Sequence, residues 1–152
     1  MKTDHLKLNR QFSFSLYLGS RLLIKEYQPF LDKLNLTYPQ YLVLLVLWEN
    51  NNLSVNEISA QLLLNSNTLT PMLKRMEKDG LINRVRSVED ERKVMILLTA
   101  KGEQLSTQAA LIPTQIIKEF TTENYEGQGE LETLKKLLDM FINVMRMKGT
   151  AE

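Results

Sequence analysis

Residues 41–48 read YLVLLVLW, eight apolar side chains in a row, and no other stretch constrains the chain as tightly. A helix built from them has no polar face, and such a helix belongs in the middle of a folded core. The run is far too short for a membrane span, which takes about 20 apolar residues. Its start is marked: Thr37 and Gln40 have the spacing of a capping box, with Pro39 in the first turn. The rest of the chain has to wrap around this segment.

The flanking sequence predicts the wrapping. Leu8, Phe12, Leu16, Leu23, Tyr27, Phe30 and Leu34 recur at helical spacing and predict one long helix over 8–34, bent or ended by Pro29. Ser54 and Glu57 repeat the capping-box spacing and open a short helix over 55–63. Asn65 or Ser66 caps the next helix, whose inward stripe is Leu69, Met72, Leu73 and Met76 and which stops at Gly80. The β-branched and aliphatic stretches 81–86 and 93–98 predict a hairpin. Two more helices follow, over 100–120 and 124–147. The last carries an apolar face of Leu131, Leu134, Leu137, Leu138, Phe141, Ile142 and Met145. The fold class is mainly α with a small β-hairpin wing. A helix-turn-helix followed directly by a two-stranded hairpin is a winged helix, whose second helix can enter the major groove of DNA.

Composition excludes much else. At 152 residues the chain is expected to form a single domain. It contains no cysteine, so disulfides, thiolate metal sites and a cysteine nucleophile are excluded. The only histidine is His5, in a polar N-terminal segment, so a zinc site or a Ser-His-Asp triad lacks its parts. The six glycines are scattered and form no phosphate loop. Neither an enzyme nor a bound cofactor or metal is expected. The opening MKTDHLKLNR has no apolar stretch of the secretory kind, and no run approaches a membrane span, so a cytoplasmic protein with no membrane partner is expected.

Net charge is only +1, but its distribution is uneven. Residues 65–102 carry eight Lys/Arg against five Asp/Glu, whereas 103–152 carry five against eight. In the helix after Asn65, Ser66, Asn67, Thr68 and Thr70 place short polar groups in the first turns, where phosphates or base edges can be met. Lys74, Arg75 and Lys78 supply charge on its outer side. In the hairpin, Arg84, Arg86, Arg92 and Lys93 can approach phosphates. Arg92 is the candidate for the minor groove, with Asp90 two residues before it to orient the guanidinium. Glu89 and Glu91 are expected to face away. Taken singly, the helix also reads as an ordinary amphipathic surface helix, and the turn as a solvated, self-paired charge cluster.

The run LTPMLKRMEKDGLINRVRSVEDERKVMILLTAKG, 69–102, resembles the signature core of the MarR family of bacterial transcription regulators. The recognition-helix text, the glycine, the DER of the wing and the LTAKG that opens the next helix occur in order. The first helix, TYPQYLVLLVLWE and the leucine-rich end are similar to the OhrR-like branch, which senses organic hydroperoxides. The resemblance covers nearly the whole chain. It implies a homodimer in which the N- and C-terminal helices of both copies interlock: 1–36 and 100–152 as dimerisation helices, 37–99 as the DNA-binding lobe. It also implies a double-stranded partner, a palindromic promoter operator, and control by repression under oxidative stress.

One position departs from the pattern. In that branch a reactive cysteine stands near the start of the first helix, and here the aligned text QFSFSLY has Ser13 in its place. The tyrosines of the family site are matched by Tyr17, Tyr27 and Tyr38. The resemblance implies that Tyr27 and Tyr38 occupy the positions that hydrogen-bond the thiolate. A serine hydroxyl cannot be oxidised as a thiolate is. The chain is therefore expected to be locked in the reduced-like, DNA-binding form. Two accounts fit: a cysteine exchanged for serine, which the survival of all three tyrosines favours, or a natural relative that answers another signal. A MarR-type regulator released by a small-molecule ligand and a helical dimerisation module without DNA binding are the alternatives.

Overall fold

The computed structural model describes residues 4–120 and 127–149. Two compact units divide between Ala110 and Leu111, and each is described by itself. The first contains α1 (Phe12–Asp32), α2 (Tyr38–Glu49), β1 (Leu53–Ser54), α3 (Val55–Leu62), α4 (Ser66–Lys78), β2 (Ile82–Arg86), β3 (Val94–Leu98) and α5 (Ala100–Ala109). Short 3-10 turns, Asp4–Leu6 and Leu8–Arg10, precede α1. The second unit contains α6 (Ile112–Phe120) and α7 (Gln128–Gly149). The fold is mainly helical with one small antiparallel sheet, the winged helix expected from the element order.

The apolar segment lies where its composition demands. Half of α2 is buried, including Tyr41, Val43, Leu44, Val46 and Leu47. Gln40 Oε1 accepts the Thr37 backbone N–H at 2.8 Å and the Thr37 hydroxyl at 3.1 Å, so the entry to α2 is capped as its spacing predicts. Ser54 and Glu57 cap α3 reciprocally: the Glu57 N–H donates to Ser54 Oγ at 3.2 Å and the Ser54 N–H to Glu57 Oε2 at 2.7 Å. Leu69, Met72, Leu73 and Met76 of α4 are all buried, joined in the core by Ile58, Ile82 and Ile96. The end of α4 is a Schellman motif. Gly80 adopts φ +72°, its N–H donates to the Glu77 carbonyl at 3.0 Å, and the Leu81 N–H donates to the Met76 carbonyl at 2.9 Å.

The structure refines four of these expectations. The first helix is shorter than 8–34, because Leu8–Arg10 forms a separate turn and Gln11 is extended. Pro29, expected to bend or end it, lies inside the helix, which continues to Asp32. The hairpin is part of a three-stranded sheet in the order β1-β3-β2, with Leu53 paired to Ile96 and Ser54 to Met95. The helix expected over 100–120 breaks between Ala109 and Ile112. Pro113 has no N–H for the Ala109 carbonyl and so removes one of the bonds that would carry α5 on into α6. The expected start of the last helix, Asn124, lies outside the described residues, and α7 is described from Gln128.

Candidate nucleic-acid interface

α4 presents its polar face outward because its apolar stripe is committed to the core. Asn65 is the cap: its Oδ1 accepts the Thr68 N–H and the Thr68 hydroxyl, both at 3.0 Å. Ser66 and Asn67 are exposed in the first turn, Thr68 is exposed but bonded to the cap, and Thr70 is half-buried. Lys74, Arg75 and Lys78 are exposed, and among the described residues none of them forms an ion pair. The result is a helix N-terminus with free backbone donors, followed by uncompensated cations along one side. That arrangement suits a polyanion.

The wing is a tight, internally bonded turn. The Ser87 N–H donates to the Lys93 carbonyl at 2.9 Å, and the Lys93 N–H to the Asp90 carbonyl at 2.8 Å. Asp90 was expected to orient the Arg92 guanidinium, but its Oδ1 accepts the Arg92 backbone N–H at 3.1 Å. It shapes the turn, and Arg92 projects from a fixed backbone. Val88, 99% exposed, marks the tip. Arg86, Arg92 and Lys93 are exposed beside it. Ser54 holds the Glu57 carboxyl below the usual carboxylate range through hydrogen bonds, and the Lys93 charge adds to this.

Arg84 differs from the other expected phosphate contacts. Its side chain is only 20% exposed, and Nη1 approaches Glu77 Oε2 of α4 at 3.4 Å. The strand position explains this: Arg84 pairs with the buried Ile96 and its side chain lies back against α4. Arg84 joins wing to helix, a role that neither residue's sequence context signals.

A second cluster gathers on α1 and α2. The rings of Tyr27 and Tyr38 meet edge to face, with centroids 5.1 Å apart. Tyr41, 3% exposed, packs against both at 6.0 and 6.3 Å. Trp48 meets Tyr41 edge to face at 6.3 Å. Burial raises the pKa of all three phenols; nearby Tyr38 adds to the effect at Tyr27, and Tyr41 is pushed up to about 12 by burial, then by Tyr27 and Tyr38. At neutral pH they are uncharged O–H donors. In the sequence Tyr41 and Trp48 read as part of the apolar core segment. The signal was present in the spacing, since positions 38, 41 and 48 fall on one helix face.

Tyr17 and Ser13 are not in this cluster within one chain. Tyr17 is 55% exposed, its hydroxyl 3.4 Å from Arg21 Nη1. Ser13 is exposed and lies fourteen residues before Tyr27 on the same helix. At 1.5 Å of rise per residue that is a separation of about 21 Å. One copy of the chain therefore cannot bring Ser13 to its own Tyr27.

Comparisons place this geometry among known proteins. Residues 25–109 match the sequence family described as transcriptional regulator SarA/Rot. The chain is 49% identical to an organic hydroperoxide resistance transcriptional regulator of Bacillus subtilis strain 168, over 97% of this chain and 98% of that one. Its structure is similar to reduced AbfR bound to DNA, with TM-score 0.72 and 39% identity, covering 93% of this chain and 99% of AbfR. Wild-type MarR of E. coli in its apo form has TM-score 0.71 at 23% identity, covering 86% of this chain and 96% of MarR, a likeness of fold.

Proposed function

Because the chain belongs to the SarA/Rot-type transcriptional regulators, and within the MarR family to the organic-hydroperoxide-resistance branch, we propose that it is a dimeric repressor that binds a palindromic promoter operator. The observation that carries this reading is the joint presentation of α4 and the wing. α4 enters the major groove with Ser66, Asn67, Thr68 and Thr70 at its leading end, and Lys74 and Arg75 along the phosphates. Arg86 and Lys93 hold the backbone, while Arg92 reaches into the minor groove from a turn shaped by Asp90. Residues 37–99 form the reading lobe, and 1–36 with 100–152 form the dimer helices. Among the described residues no helix is long and apolar enough to cross a membrane. The protein works in the cytoplasm, with the DNA it controls.

The sensor position follows from the same reading. Ser13 reaches Tyr27 and Tyr38 only when a second copy supplies them, because one copy keeps them about 21 Å apart. Neutral phenols suit a thiolate acceptor, and a serine hydroxyl accepts the same bonds without being oxidised. The chain is thus held in the reduced-like, DNA-binding form and does not respond to organic peroxide. The relatives favour neither a ligand-released regulator nor a dimerisation module.

Affinity for a palindromic promoter fragment, measured across salt concentrations, tests the reading. Binding should fall steeply with salt as phosphate contacts release counterions. Ser13→Cys should make binding sensitive to an organic hydroperoxide while the present chain stays bound. A chain with no salt-dependent binding is not this regulator; a Ser13→Cys chain that ignores peroxide removes the sensor assignment.

A further inference from the structure

We propose that Trp48 is a positioning residue that ties the tyrosine cluster to the joint from which the recognition helix and the wing both spring. The proposal rests on the DNA-binding reading of α4 and the wing. Trp48 stands two turns beyond Tyr41 on α2, and their rings meet edge to face at 6.3 Å. Its indole N–H donates to the Gly102 carbonyl in the first turn of α5 at 3.0 Å, across 54 residues of chain. A half-buried indole needs an acceptor, and this one is supplied by a different element.

Gly102 is clamped on its other side. A side chain there would place its Cβ 2.2 Å from the Leu81 carbonyl oxygen, so α5 and the 80–81 junction touch backbone to backbone. The Gly102 N–H donates to Thr99 Oγ1 at 3.1 Å. That hydroxyl donates to the Gly80 carbonyl at 2.6 Å, and the Thr99 N–H donates to the Leu81 carbonyl at 3.1 Å. Gly80 and Leu81 close α4, and Leu81 leads directly into β2. Tyr27 and Tyr38, Tyr41, Trp48, Gly102 and Leu81 thus form an unbroken series of contacts, with no flexible side chain between them. Tightly packed groups of this kind pass on a displacement rather than absorb it. A disturbance at Tyr38 therefore changes the angle at which α4 and the wing meet DNA, through the indole.

A double-mutant cycle read as operator affinity tests the coupling. Tyr38→Ala should weaken binding several-fold in the chain with Trp48. With Trp48→Phe, which keeps a ring but removes the N–H donor, adding Tyr38→Ala should change affinity by less than about twofold, a change no larger than the scatter with which independent sites add. Equal effects in both backgrounds overturn the proposal, and so does a Tyr38→Ala chain that binds like the parent. A second measurement needs no change at Trp48. The chain has one tryptophan, so its indole N–H gives a single NMR signal. Tyr38→Phe should shift that signal together with the Gly102 and Leu81 amides; unmoved Gly102 and Leu81 signals overturn the link. If the parent binds no operator, the functional reading fails, and these amide signals alone judge the coupling.

Discussion

Single side chains divide between those that face a partner and those that shape what faces it. In the proposed interface Arg92 is of the first kind, and Asp90, which bonds the Arg92 backbone N–H, is of the second. Arg92→Ala should weaken operator binding by about 1–3 kcal/mol if the guanidinium reads the groove. Equal affinity at several salt concentrations would remove Arg92 from the interface. The Tyr41 phenol gives a prediction from acid–base linkage. Folded, its pKa is about 12; unfolded, it returns to the ordinary value of 10. The folded state thus keeps a proton that the unfolded state loses, and this stabilisation is whole below pH 10 and fades toward 12. Denaturant melts should show stability falling across that window, and Tyr41→Phe should flatten the fall. A slope unchanged by Tyr41→Phe would assign it to other groups.

At the scale of elements, caps and junctions set the angle between helix and wing. Ser54 caps α3 from a buried position, so Ser54→Ala should cost about 1 kcal/mol and lower the melting temperature with little change in the salt slope of operator binding. Gly102→Ala forces a methyl against the Leu81 carbonyl. It should destabilise by about 1–3 kcal/mol, the range for overpacking. A Gly102→Ala chain that melts with the parent would show that α5 and the 80–81 junction are free to part. Element existence was legible for the long segments because helical periodicity and capping are local properties. The break at Pro113 was equally local and was missed because apolar spacing continues across it. β1 could not be read: two residues have no periodicity, and Leu53 becomes strand only because Ile96 arrives beside it.

At the scale of the whole molecule, the proposed dimer accounts for apolar side chains exposed on α1 and α7. Phe12, Leu16, Leu18 and Leu22 of α1 are exposed, as are Leu134, Leu137, Ile142 and Met145 of α7. Large apolar surfaces of this kind mark association sites. Leu134→Glu with Ile142→Glu should convert a dimer into a monomer by sedimentation and reduce operator affinity by orders of magnitude, since each half-site alone holds half the contacts. Retention of the dimer by that double variant would move the interface elsewhere.

The amino-acid order by itself determined the central place of α2, the capped start of α3, the glycine stop of α4, the two long wing strands and the family-like text around Ser13. All of these are written within a few residues of one another, where dihedral preference and side-chain spacing act directly. Only the tertiary structure decided that Arg84 turns toward Glu77, that Leu53 pairs with Ile96, and that the Trp48 indole donates to the Gly102 carbonyl. Those outcomes depend on which distant surfaces meet once the apolar helix is enclosed, and burial against a remote element leaves no mark in the local pattern.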